Sequence, residues 1–107
     1  MKLVIAVVQD KDSLQLINAL NAENFKTTKL ATTGGFLKEG NTTLMIGCRE
    51  EHVEEVLEII KHNCSKREST ISPIPPIDVD SYSPKPVNVE VGGATVFVLP
   101  IESFYRF

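Results

Sequence analysis

KLVIAVV, residues 2–8, is an almost unbroken apolar and β-branched run, and its reading decides the fold. A strand that alternates apolar with polar residues buries one face, whereas one that is apolar throughout reads as buried on both. Leu3, Ile5 and Val7 point one way; Val4, Ala6 and Val8 point the other. Whatever covers these two faces must come from the rest of the chain or from another copy of it.

Outward from this strand, QDKDSLQLINALNAEN (9–24) predicts a helix over about 13–22, with Asp12 as its cap and Gln15 at the capping-box position. Leu14, Leu16, Ile17 and Leu20 supply its apolar stripe. FKTTKLAT (25–32) and TTLMI (42–46) are Thr-rich and apolar, and TGGFLKEGN (33–41), with three glycines, joins them as a loop between antiparallel strands. EEHVEEVLEIIKHNC (50–64) sets Val53, Val56, Leu57 and Ile60 at i, i+3, i+4 and i+7, with acids in its first turn and Lys61 near its end, which predicts a second helix.

Between Ser72 and Pro86 lie five of the six prolines. Proline removes a backbone donor and fixes φ, so this stretch reads as a long loop rather than a central strand or a helix. The chain resumes with VNVEV (87–91), breaks at Gly92 and Gly93, and continues as ATVFVLP (94–100) before the aromatic tail SFYRF (103–107). The last strand is therefore expected to be bent or split at the double glycine.

The order is βαββαβ: an α+β, ferredoxin-like domain spanning 1–107, with a four-stranded antiparallel sheet and two helices on one face. Two helices cover one face only, yet residues 3–8 and 94–99 are apolar on both. Burial against sister subunits in a closed cyclic oligomer is the expected remedy. A chain of 107 residues leaves no room for a separate catalytic domain. A net charge of −3, with Lys and Arg scattered, argues against a nucleic-acid polymer as partner, and the opening apolar run is too short to span a membrane. Cys48 and Cys64, isolated and in no CxxC arrangement, suit free thiols in a cytoplasmic protein.

Few residues suggest chemistry. The Gly35 to Gly40 spacing matches the opening of a phosphate loop, but Asn41 stands where the motif requires Lys and the loop leads to a strand. The residues alone leave open a plain hairpin connection or a ligand loop. Phe36 and Leu37 at its centre favour the ligand, because they have no core to join and an aromatic there can stack on a base. His52 and His62, ten residues apart, read as solvated rather than as ligands of one metal, and Cys64 reads as core. The acids of the second helix serve its dipole and solubility, and no carboxylate pair reads as an acid–base couple.

The stretch NFKTTKLATTGGFLKEGNTTLMIG (24–47), with KLVIAVVQDKDS (2–13) and VEVGGATVFVLP (89–100), resembles the PII-like cyclic di-AMP receptors of the PstA/DarA type over the whole chain. The resemblance implies a βαββαβ subunit, a homotrimer, and ligand sites in the clefts between neighbours. It carries ligand contacts onto Asn24, Lys26 and Thr28, onto Gly35, Phe36, Leu37 and Asn41, and onto Gly47 and Phe97. In that picture Phe36 and Leu37 sandwich an adenine, Asn24 and Asn41 read its edge, and Thr28 with loop N–H groups meets phosphate. Lys26 stands where the family usually has Arg, exchanging a planar, bidentate donor for a point charge.

The expected function is thus a signal-transduction protein rather than an enzyme. Cyclic di-AMP would order the Gly-rich loop (about 33–41) and the Pro-rich loop (about 72–86) and change which protein partner docks. No metal or cofactor is expected. The rivals are a conventional PII-type sensor of ATP and 2-oxoglutarate, a small ferredoxin-like enzyme, and a structural trimer without ligand.

Overall fold

The computed structural model describes residues 1–30, 40–71 and 87–107. The Pro-rich stretch and most of the Gly-rich loop, with Gly35, Phe36 and Leu37, lie outside them. Strand β1 (Lys2–Gln9) runs into helix α1 (Asp10–Ala22), followed by β2 (Thr27–Leu30) and β3 (Asn41–Cys48). A 3-10 turn at Glu50–His52 leads into α2 (Val53–Cys64), then β4 (Arg67–Ile71), β5 (Val87–Val91) and β6 (Ala94–Pro100).

The main sheet has four strands in the order β2-β3-β1-β6, every pair antiparallel. The expected α+β layout is present: β1 sits inside, flanked by β3 and by the final strand. Strands β4 and β5 form a separate two-stranded sheet, from Arg67 opposite Val91 to Ile71 opposite Val87. The expected break at the double glycine is therefore a split. Gly92 and Gly93 hold φ of +82° and +100°, a left-handed backbone that glycine adopts without a Cβ clash, and it turns the chain from β5 into β6.

Val4, Ala6 and Val8 of β1, Leu44, Ile46 and Cys48 of β3, Leu16 and Leu20 of α1, and Val56, Ile60 and Cys64 of α2 form the core, with Phe25 at its margin. Phe25 meets the ring of His52 edge-on, with centroids 5.9 Å apart. The opposite face of β1 is only half covered: Leu3, Ile5 and Val7 are intermediate in exposure, as is Met45 beside them on β3.

Three expectations are corrected. Helix α1 begins at Asp10, three residues early, and its N-cap residue is Gln9, whose side chain makes no capping bond. Asp12 is buried in its first turn and pairs with Arg67, and Gln15 donates instead to Asn63 of α2 at 2.9 Å. Leu14, placed in the apolar stripe, is 68% exposed, because the helix turns it away from the sheet. Finally, β4 is a strand where the sequence predicts none: RESTI carries charge and no clean alternation, so its partner in β5 is what defines it.

Candidate functional site

Strand register places four of the expected ligand residues on one surface. Thr28 lies opposite Met45, Met45 opposite Ile5, and Ile5 opposite Phe97, so a single cross-strand row runs Thr28–Met45–Ile5–Phe97 over all four strands. Gly47 pairs with Leu3, and Asn41 with Gln9. Side chains alternate along a strand, so Thr28, Asn41, Gly47 and Phe97 share the face of the sheet that carries no helix. Lys26 lies one residue before β2 and, by extension of the β2–β3 register, opposite Gly47.

The row also separates its ends. Three inter-strand spacings of about 4.8 Å put the Cα atoms of Thr28 and Phe97 roughly 14 Å apart. The two cannot close on the same base from within one subunit. Phe97 is 53% exposed and Leu99, its neighbour on the same face, 43%. Strand β6 is an edge of the sheet with this apolar face open.

Gly47 is uncrowded. A Cβ built there meets only the tip of Met1, at 3.9 Å, and its backbone is not among the positive-φ glycines. Glycine weakens a strand interior, and neither space nor φ within the subunit explains it here. An open floor on the helix-free face is what it provides. Asn24, in contrast, serves the fold locally. With φ of +66° it ends α1 in the left-handed conformation, its N–H donating to the Asn21 carbonyl at 3.0 Å. Its side chain is exposed beside Lys26.

Asn41, at the start of β3, borders a shallow depression of about 240 Å³ lined also by Gln9, Lys66, Gly92 and Thr95. Sequence reasoning did not single out Gln9, whose Oε1 accepts from the Gly92 N–H at 2.8 Å, nor Arg67, whose guanidinium forks onto the Asp12 carboxylate. That fork holds Arg67 charged above its ordinary range. The Cys64 thiol is pushed up to about 11, first by burial and then by the nearby Asp12, so it is a protonated, unreactive core thiol at neutral pH. Burial also raises Cys48.

The His52 imidazole stands 3.4 Å from Glu55 on the exposed side of α2, and His62 is exposed near that helix's end. Among the described residues no group of three or more His, Cys, Asp or Glu is disposed to share a metal ion. No helix among them is long and apolar enough to cross a membrane.

A crystal structure of a protein from Pediococcus pentosaceus ATCC 25745, described only as functionally unknown, is similar to this chain at 52% identity and a TM-score of 0.81. The similarity covers 99% of this chain and 96% of that one. The sequence model of the cyclic-di-AMP receptor family matches residues 1–107, and cyclic di-AMP is the ligand of that family. With a four-stranded antiparallel sheet, two helices and a match along its whole length, the chain belongs to the cyclic-di-AMP receptor family.

Proposed function

We propose that the chain is a single-domain PII-like signalling protein that binds cyclic di-AMP in the clefts of a cytoplasmic homotrimer and is not an enzyme. The observation that carries this reading is the Thr28–Met45–Ile5–Phe97 row. Its ends are too far apart to clasp one base, but Phe97 on an open β6 edge of one subunit can meet the Thr28 side of the next. The half-covered Leu3, Ile5, Val7 and Met45 then become the floor between subunits, which stabilises the assembly by removing apolar area from water.

In the completed site Phe36, Leu37 and Phe97 supply flat apolar contact to the adenines, and Gly47 leaves room for one of them. Asn24 and Asn41 read base edges. Thr28, Lys26 and the backbone N–H of Gly35 face the phosphates. Binding fixes the Gly-rich loop and, through it, the surface offered to a protein partner; such a shift requires the ligand to prefer the ordered state. Calorimetric titration with cyclic di-AMP, cyclic di-GMP and ATP, alongside light scattering, tests the reading. Three subunits per particle and heat with cyclic di-AMP above the other two are expected. A monomer, or equal response to all three nucleotides, would sink it.

A further inference from the structure

The residues that join β1 to α1 touch two otherwise separate parts of the molecule. On one side, the Asp10 N–H donates to the Gly40 carbonyl at 2.8 Å, the Thr42 hydroxyl donates to the Asp10 carboxylate, and Gln9 pairs with Asn41 in the β1–β3 ladder. On the other side, the Gly92 N–H donates to Gln9 Oε1 at 2.8 Å. Arg67 reaches Asp12 with Nη2–Oδ1 at 2.7 Å and Nη1–Oδ2 at 3.4 Å. Gly40 to Thr42 is the exit of the Gly-rich loop; Arg67 and Gly92 are the two feet of the β4–β5 hairpin.

Burial makes this junction unusual. The buried polar side chains among the described residues are Asp12, Ser13, Thr42 and Thr43, and all four lie at this end of the sheet. Asp12 is only 3% exposed. Burying polar groups costs free energy unless each finds a partner, and apolar residues of the same size would hold the strands together without that cost. What directional bonds add is a fixed relative geometry of the parts they join, and they hold or release as a set.

We propose that Gln9 to Asp12 is a positioning unit that couples the Gly40–Thr42 segment, which carries the ligand contact Asn41, to the base of the β4–β5 hairpin, so that a change of order in one changes the other. The role given to Asn41 rests on the cyclic di-AMP reading, but the coupling is a property of the free subunit and is tested without ligand. Gln9, Asp10, Asp12, Thr42 and Arg67 act through their neighbours rather than by touching the ligand.

Hydrogen exchange of the Val87–Val91 amides and of Gly92 in the full chain gives the readout. In free protein, Thr42→Val keeps the side chain's shape and removes its hydroxyl, and it should speed exchange at the distant hairpin by about threefold or more, as expected for members of one bonded network. Thr42→Ser, which restores the hydroxyl, should return wild-type rates. In an Asp12→Asn background the hairpin exchanges fast already and Thr42→Val should add nothing. With cyclic di-AMP at a concentration that saturates both proteins, the hairpin amides should slow in wild type but not in Asp12→Asn. Unchanged hairpin exchange in Thr42→Val, or additive effects of Thr42→Val and Asp12→Asn, overturns the coupling. If coupling is present in free protein yet wild type gives no heat with cyclic di-AMP, the ligand reading fails and the positioning unit stands.

Discussion

Gly92 leaves no space for a side chain against Arg67: a Cβ at position 92 would lie 2.5 Å from Arg67 Nη1 and 2.6 Å from the Ser65 carbonyl oxygen. The guanidinium is held there by Asp12 and by that same carbonyl, at 3.2 Å, so it cannot swing away without losing its buried partner. Position 92 also needs its φ of +82°. Gly92→Ala is therefore expected to lower stability by about 1–3 kcal/mol, the usual range for a residue forced into such backbone, and to loosen the hairpin feet first. Urea denaturation checks the first part and hydrogen exchange at Val91 the second; wild-type stability in the variant would contradict the crowding.

Gly47→Val separates floor from scaffold. Because a Cβ there meets nothing closer than 3.9 Å, the substitution should leave the fold intact and raise strand stability by up to about 1 kcal/mol. It should also weaken cyclic di-AMP binding by about tenfold or more, equivalent to at least 1.4 kcal/mol. Calorimetry and a thermal melt on the same sample decide it, with scattering to confirm unchanged particle mass.

Phe36→Ala and Phe97→Ala test the stacking roles. Loss of an aromatic platform is worth roughly 1–3 kcal/mol per base, so each should lower affinity by about ten- to a hundredfold while leaving the subunit folded. Lys26→Arg is the opposite arm: a planar, multiply donating group should hold affinity or tighten it. Wild-type affinity in Phe36→Ala would reduce the Gly-rich loop to a hairpin connection.

Cys64 gives a pH signature. Its thiol titrates near 9.0 when unfolded and about 11 when folded, so above about pH 9 the unfolded chain releases this proton first. The contribution to stability is flat below the unfolded value and falls as pH rises from about 9 towards 11. Denaturation midpoints measured from about pH 8 to about pH 11 should drop more steeply for wild type than for Cys64→Ala, although the variant starts lower because it leaves a cavity. Parallel pH profiles would contradict the raised thiol.

Much of the architecture was legible from residue periodicity. The short, β-branched β1 run read as a strand from its length and composition and the Val53–Val56–Leu57–Ile60 stripe as a helix from its period, and Val4, Ala6, Val8, Val56 and Ile60 are core while Val53, at its margin, and Leu57 are half-buried. What escaped depended on partners distant in sequence. RESTI has no signal of its own and is a strand only because VNVEV lies against it. Asp12 looked like a cap because its partner Arg67 is 55 positions away, which no local pattern reports. Of the site, Thr28, Asn41, Gly47 and Phe97 were named only through the family resemblance; their common face required the β2–β3, β1–β3 and β1–β6 registers, and the involvement of Gln9 required knowing where Gly92 turns.

The pairing of β1 with both β3 and β6 has a consequence for how the chain is made. Val4 lies opposite Ile46 and Val98, so β1, an inner strand, must await a segment more than ninety positions further along the chain before its second edge is closed. Closing so long a loop is slow, and until then β1 presents a row of unpaired N–H and C=O groups beside apolar side chains. A chain halted before Ala94 keeps that edge open. The late pairing of β6 thus sets when this sheet stops offering an open edge to another chain, a kinetic exposure that equilibrium stability does not report.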